Sequence, residues 1–242
     1  NLTTLSSKTS LPTPTSAYIM FSNPYLGILF SNKLTWDQHI NNITKKANST
    51  LGFIRRNLRR CPTACKRTAY LALVRPLLEY GAVIWDPYQK QDIDKMERIQ
   101  RSAVRFIARD YRSKTPGSVT RLLRQNGLPT LQERREELRL NFLYKVAEGL
   151  APAIPPDRFL SPQRPNRIIR PPHRPDYIVQ NPVHDQSRNH DRCFTVPRCN
   201  TEQYKQSFFP RTIIAWNKLS SSAVHASSPE AFKSALAAAT RR

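Results

Sequence analysis

Carboxylates are scarce in this chain. Of its 242 residues only 17 are Asp or Glu, against 39 Lys and Arg, which leaves a formal charge of +22. A metal-dependent nuclease or polymerase centre needs two or more acids converging on a divalent ion. The best local pair, Asp92 and Asp94, sits two residues apart, so on a helix its members point in different directions. Asp92 is expected instead to cap that helix. Glycine is thin as well, at six residues, and no P-loop, dinucleotide-binding loop, HExxH or GxSxG pattern occurs. No apolar run approaches the ~18–20 residues that span a bilayer, which excludes a membrane-spanning helix. The first residues, Asn1 to Thr4, lack the basic start and apolar block of a secretory signal. A chain opening on Asn1 reads as a piece of a longer protein.

Four cysteines (Cys61, Cys65, Cys193 and Cys199) are too few for a disulfide framework at this length. A reducing, intracellular compartment fits them better, without choosing between nucleus and cytoplasm. Cys61 and Cys65 flank the start of a helix and are expected to pack there. His184, His190, Cys193 and Cys199 follow the spacing H-x5-H-x2-C-x5-C, which has the chemistry of a zinc site but none of its common spacings. Metal ligands and stray polar residues of a loop both stand as readings.

What is abundant is positive charge, and a pI near 10.5 calls for a polyanionic partner. The stretch 33–149 holds 24 of the 39 basic residues, so the picture is not a basic tail on a neutral domain. A membrane surface would want a basic helix with bulky apolar anchors opposite, and the apolar faces here look committed to a core. Nucleic acid is the expected partner.

The pattern along the chain divides it into five parts. Residues 1–16, Ser/Thr-rich with Pro12 and Pro14, read as a disordered or non-native end. Residues 17–32 read as a β-hairpin with its turn at Ser22-Asn23-Pro24, in want of a partner sheet. Residues 33–149 change to helical period and predict a mainly α, all-helical bundle. Its first helix carries Ile40, Ile43, Ala47, Leu51, Ile54 and Leu58 on one face, opened by a Thr35–Gln38 capping box. Pro62 opens a second helix through Ala69, Leu73 and Leu77, which Pro76 should break near Val74-Arg75. A third carries Ile93, Met96, Ile99, Ala103 and Phe106. A fourth, near 119–125, stops at Gly127. Thr130 and Glu133 box the start of a fifth, through Leu138, Phe142 and Val146. Residues 150–200 contain 10 of the 20 prolines and read as a disordered basic connector. Residues 201–242 regain order as a small helical segment, with Ser228-Pro229-Glu230 opening a terminal helix.

Cations cluster in this frame. Lys45-Lys46, Arg55-Arg56, Arg59-Arg60 and Lys66-Arg67 follow the first helix into the second, largely off the apolar stripe. Arg98, Arg101, Arg105, Arg109 and Arg112 repeat at three and four residues on the third helix. Both sets suit sequence-independent phosphate contact. The alternative is a solvated face partly balanced by Glu97 and Asp110. His39, on the same stripe as Ile43 and beside Trp36, is expected to be a core or edge histidine rather than a general base.

The ordered passages Tyr25-Leu26-Gly27-Ile28-Leu29, LTWDQHI (34–40), KKANSTLGFIRRNL (45–58), LVRPLLEYGAVIWDPY (73–88), IDKMERIQRSAVRFI (93–107), LPTLQERREELRL (128–140) and SFFPRTIIAWNKL (207–219) are together similar to one family. They resemble the region that follows the catalytic palm in non-LTR retrotransposon (LINE-type) reverse transcriptases, over about residues 18–236. The resemblance implies that Tyr25, Leu26 and Gly27 match a primer-grip hairpin. It implies that the helices from Trp36 to Leu58 match the thumb, which contacts an RNA or RNA–DNA duplex. The Tyr/Phe-Ala-Asp-Asp motif has no counterpart, so the chain is expected to be non-catalytic, with no cofactor and with divalent metal belonging only to the palm of the parent RNA-directed DNA polymerase. From the clustering of cations, the residues expected to touch nucleic acid are Lys45, Lys46, Arg55, Arg56, Arg59, Arg60, Lys66, Arg67, Arg101 and Arg105. A relic or protein-interaction module with no nucleic-acid role is the alternative.

Overall fold

Leu26 and Gly27 both adopt positive φ, +47° and +81°, and so reverse the chain between two short antiparallel strands, β1 (Ser22–Tyr25) and β2 (Ile28–Ser31). The computed structural model describes residues 22–113, 115–163 and 190–239. The reading of 1–16, and the part of the hairpin before Ser22, lie outside the described residues. The turn falls four residues later than expected, and Ser22, Asn23 and Pro24 lie within β1. Proline is tolerated there because a two-stranded sheet is all edge. The partner that the hairpin needs is a helix rather than a sheet. Ile28 is buried in the main core, and the Leu29 N–H donates to His39 Nδ1 at 3.3 Å.

Helix α1 (Asp37–Asn57) buries His39, Ile40, Ile43, Ala47, Leu51 and Ile54 along one side, as its period predicts. Its N-cap is Trp36, with no side-chain capping bond, so the Thr35–Gln38 box does not form. After α2 (Thr63–Ala69) the chain passes through a π-helical turn, Tyr70–Val74, into α3 (Arg75–Glu79), with Pro76 in its first turn. Pro76 lacks the N–H that a regular α-helix would need there, and the helical run is not broken but loosens into this π turn next to the expected Val74-Arg75 position. The buried face of this stretch, however, is Lys66, Tyr70, Val74 and Leu78, one residue on from the predicted one. Leu73 is left exposed.

Gly81, at φ +65°, leads into α4 (Ala82–Trp85). Helix α5 (Lys90–Ala108) is capped by Gln89 and not by Asp92, which lies in its first turn, buried and paired with Lys95 at 2.8 Å. Helix α6 (Ser118–Gln125) ends at Asn126 with Gly127 left-handed, as anticipated. The Thr130–Glu133 capping box does form, and it opens α7 (Leu131–Ala147). The fold is thus mainly helical with a short hairpin at its head.

The boundary expected near 149 is where the structure departs most from the sequence pattern. Two cores meet along α7. The first runs from Ile28 to Leu131, and the second gathers Leu140, Leu143 and Tyr144 with Ile213, Trp216, Val224, Phe232 and Leu236. The C-terminal helices α10 (Phe208–Trp216) and α12 (Pro229–Ala239) therefore pack on α7 and complete it.

Both described ends of the proline-rich stretch 150–200 are packed as well. Helix α8 (Pro156–Phe159) precedes buried Leu160, and Pro162 bridges to Phe194. The segment from His190 is tied across α10: Trp216 Nε1 donates to the Arg192 carbonyl, and Asn217 exchanges two hydrogen bonds with Phe194. Short helices α9 (Glu202–Lys205) and α11 (Ser221–Val224) fill in the C-terminal segment. Among the described residues no helix is long and apolar enough to cross a membrane.

Candidate nucleic-acid interface

Helix α1 ends in Arg55 and Arg56, and the following turn adds Arg59 and Arg60. The last turn of α5 faces them, because α1 and α5 pack side by side. Arg109 ends α5 in a left-handed conformation at φ +57°, and its Nη2 donates to the carbonyls of Arg60 and Cys61 at 3.0 and 2.9 Å. This clip holds the two helix ends together and places both sets of guanidiniums on one open groove of about 710 Å³. Its lining is Arg55, Arg59, Arg60, Lys66, Phe106, Arg109 and Tyr111, with no carboxylate among them.

Lys66 forms the floor of this groove. It was expected to face solvent, yet its side chain is buried and its Nζ lies 4.8 Å from the Phe106 ring centroid. Burial and then the neighbouring Arg109 hold its pKa below the ordinary lysine value. At the rim Arg55 donates to Ser102 Oγ at 3.2 Å and lies over the exposed Tyr111 ring. Clustered cations beside an exposed aromatic ring, with no acid to neutralise them, form an anion-collecting surface that also offers a stacking face.

The remaining predicted contacts distribute differently. Lys45 and Lys46 are exposed on α1. Lys45 and Arg56, eleven residues or about three turns apart, share a side of the helix, so Lys45 extends the basic strip away from the groove. Arg67 is spent on structure, donating from Nε to the Asn126 carbonyl at 2.8 Å. Arg105 likewise donates to the carbonyls of Asp110 and Ser113. Arg101 is exposed beside Glu97 and Asp94 in a depression of mixed charge. There the solvated-face reading fits better than phosphate contact. Asp110 accepts the backbone N–H groups of Arg112 and Ser113, and bonds with Ser113 hold its carboxyl below the usual range.

The turn Tyr25-Leu26-Gly27 is exposed, and its Leu26 carbonyl accepts from Tyr80 Oη at 3.1 Å. It sits at the opposite end of α1 from the groove. Sixteen residues separate His39, against which β2 packs, from Arg55, roughly 24 Å of helix. His39 is the buried core histidine expected, although it stacks edge-on against Trp85 rather than Trp36.

Of the four zinc candidates, His184 lies outside the described residues. His190 and Cys193 come together, with Cys193 Sγ donating to the His190 carbonyl at 3.1 Å, while Cys199 Sγ turns to the Pro197 carbonyl. No group of three or more potential ligands gathers among the described residues. Cys65 is exposed, and Cys61, beside it, is half-buried.

Sequence reasoning missed a second charged site. Asp86, after α4, faces three guanidiniums: Arg135 Nε at 2.7 Å, Arg139 Nε at 2.9 Å and Arg211 Nη1 at 3.2 Å. Arg135 and Arg139 are buried on α7 and Arg211 comes from α10, so the cluster joins the two cores. The Arg139 contact is an ion pair without hydrogen-bond alignment, since that Nε is without a hydrogen-bond partner. Burial and the facing Arg211 push the Arg139 guanidinium below its ordinary pKa, against the pull of Asp86. The signal available was the i,i+4 spacing of Arg135 and Arg139.

No protein-family model, curated protein or solved structure matches the chain.

Proposed function

We propose that this chain is the non-catalytic region following the palm of a non-LTR reverse transcriptase, and that it holds RNA or an RNA–DNA duplex through phosphate contacts. The observation that carries the nucleic-acid half is the groove at the α1–α5 end, where Arg55, Arg59, Arg60 and Arg109 surround Lys66 with no carboxylate in the lining. A polyanion is the partner that such an unbalanced surface collects, and backbone phosphates supply it without regard to sequence. The ordered sequence passages support the family half, and in that reading the Tyr25-Leu26-Gly27 turn serves the primer end while the groove serves the duplex.

The test is binding of the whole chain to duplexes of unrelated sequence. With about four phosphate contacts, affinity should fall roughly a hundredfold between 50 and 200 mM salt. The triple change Arg55→Ala, Arg59→Ala, Arg60→Ala should weaken all duplexes alike and reduce the slope of log affinity against log salt by roughly one unit per lost contact. Binding that ignores salt would sink the reading. Neutralising Arg164, Arg167, Arg170 and Arg174, which lie outside the described residues, is the comparison. If that change abolishes binding and the groove change does nothing, the groove is not the contact surface.

A further inference from the structure

The four free cysteines divide into two kinds. Cys193 and Cys199 each spend their thiol on a backbone carbonyl, that of His190 and that of Pro197. Cys61 and Cys65 stand instead at the start of α2, in the turn that joins it to α1. Pro62 is the N-cap of α2, at φ −59° and ψ 157°. An extended N-cap folds the residue before it back over the first helical turn, the geometry in which such a side chain meets those of the third and fourth helical residues. Cys61 is that preceding residue, Cys65 is the third of the helix and Lys66 the fourth. Cys61 accordingly meets the Cys65 thiol and the Lys66 ammonium.

The two thiols differ in access and in the charge around them. Cys65 is exposed and Cys61 is half-buried. Arg109 donates to the Cys61 carbonyl at 2.9 Å, which sets a second cation beside that residue. Desolvation, and then the Cys61 thiol, hold the Cys65 thiol above its ordinary pKa, so Cys65 is the member of the pair that keeps its proton. No carboxylate lines the groove to which Lys66 and Arg109 belong. A thiol beside unbalanced cations and next to a second thiol is the setting in which cysteine is oxidised and then resolved.

We infer that Cys61 and Cys65 form a reversible oxidation site, closed to a disulfide by hydrogen peroxide and reopened by a small thiol. The Cys61 sulfur attacks one peroxide oxygen. The S–O bond forms, the O–O bond breaks, and the departing hydroxide leaves as water with the Cys61 proton. The Cys65 sulfur then attacks the Cys61 sulfur. The S–S bond forms, the S–O bond breaks, and the hydroxyl leaves as water with the Cys65 proton. The two thiols lose two electrons in all, and one peroxide becomes two waters. Reopening is thiol–disulfide exchange with two equivalents of the small thiol, which is itself oxidised to its disulfide. The site lies on the Arg109 clip between α1 and α5, and its chemistry does not depend on what the groove binds.

Cys61 and Cys65 share one tryptic peptide, residues 61–66, so the link is read within it. The whole folded chain is treated with hydrogen peroxide, then unfolded, alkylated, digested and weighed, with and without dithiothreitol after the oxidation. The expected product is peptide 61–66 lighter by two hydrogens and closed to alkylation, with alkylation restored by dithiothreitol, while Cys193 and Cys199 remain alkylatable. Cys65→Ser changes an exposed position and removes the resolving thiol. Its Cys61 should stall as the sulfenic acid and give at least about tenfold more dimedone adduct than the parent. Cys61→Ser is the second variant, and its Cys65 should be oxidised at least about tenfold more slowly than the pair. A peptide 61–66 that stays open to alkylation, oxygen added to it in place of the link, equal dimedone adduct in parent and Cys65→Ser, or a Cys61→Ser variant oxidised as fast as the parent would overturn the inference.

Discussion

The Lys66 ammonium lies over the face of Phe106 at 4.8 Å from the ring centroid, and no acid lines the groove above it. A buried cation held by an aromatic face gains about 2 kcal/mol from the ring and gives up hydration.

Lys66→Met fills the same volume without the charge. Because folding lowers the lysine pKa, the unfolded chain binds more protons between the folded and unfolded values, and stability from this group rises with pH across that window. The methionine variant should therefore be at least as stable as the parent at pH 7, with its advantage shrinking as pH approaches about 10.5. Urea unfolding at both pH values measures it. Duplex affinity should fall at the same time, which separates a stabilising change from a functional one.

Gly81→Ala tests how the hairpin is docked. Gly81 has φ +65°, and a Cβ there would stand 2.6 Å from Ile28 Cδ1. Left-handed backbone alone costs roughly 1–2 kcal/mol for a residue with a Cβ, and the clash pushes β2 off its seat. Thermal unfolding should show that loss, and amide exchange at Leu29 should accelerate because its bond to His39 depends on the same seat. Unchanged exchange would mean that the hairpin docks independently of Gly81.

Much of this architecture was legible in the residues, and the failures have physical causes. Period alone placed α1, because one apolar stripe dominates it. The second helix offered two stripes, Ala69–Leu73–Leu77 and Lys66–Tyr70–Val74–Leu78, and the structure buries the one with a lysine in it. Tyr70, Val74 and Leu78 pack in the main core, Tyr70 Oη donates to Gln100 at 2.7 Å and Lys66 meets Phe106, all partners distant in sequence that no local pattern shows. Arg135 and Arg139 look like solvated positions on α7 until Asp86 arrives from α4 to meet them. The groove was half visible: Arg55, Arg59 and Arg60 stood out as pairs, but Arg109 and Tyr111 join them only through the α5 terminus. Arg67 and Arg105 were indistinguishable from contact residues by sequence, and backbone carbonyls claim them.

Asp86→Asn should be among the most damaging single changes in the chain. It leaves Arg135, Arg139 and Arg211 buried or half-buried without a counter-charge where the two cores meet, a loss of about 3–5 kcal/mol for a broken buried ion pair. Replacing the buried part of the network instead, with Asp86→Leu, Arg135→Met and Arg139→Met together, should recover a large part of that loss, because apolar groups of similar size need no partner and the half-buried Arg211 keeps access to solvent. Denaturant unfolding of the single and triple variants gives the comparison. A triple variant no better than Asp86→Asn would mean that the cluster stabilises by its charges.

Acid should loosen the joint between β2 and α1, and His39 is the group that titrates there. Its Nδ1 accepts the Leu29 N–H, and its Nε2 is buried without a partner among the described residues. Burial first, and Lys46 second, keep its pKa below the ordinary 6.5. A protonated ring would carry a hydrogen on Nδ1 and lose the Leu29 bond. The unfolded chain thus takes up a proton that the folded chain refuses. The stability this group contributes is complete above about pH 6.5 and is lost as pH falls through the folded value, at most about 1.4 kcal/mol per pH unit. Burial raises the pKa of Glu97 and Glu137, which works in the opposite direction, since those carboxyls hold protons more readily when folded. His39→Asn keeps an acceptor near the Nδ1 position and does not titrate, while both glutamates are common to the two proteins. Parent minus variant in unfolding free energy should therefore narrow as pH is lowered from 7.5 to 5, and a constant difference would show that His39 is not the titrating group.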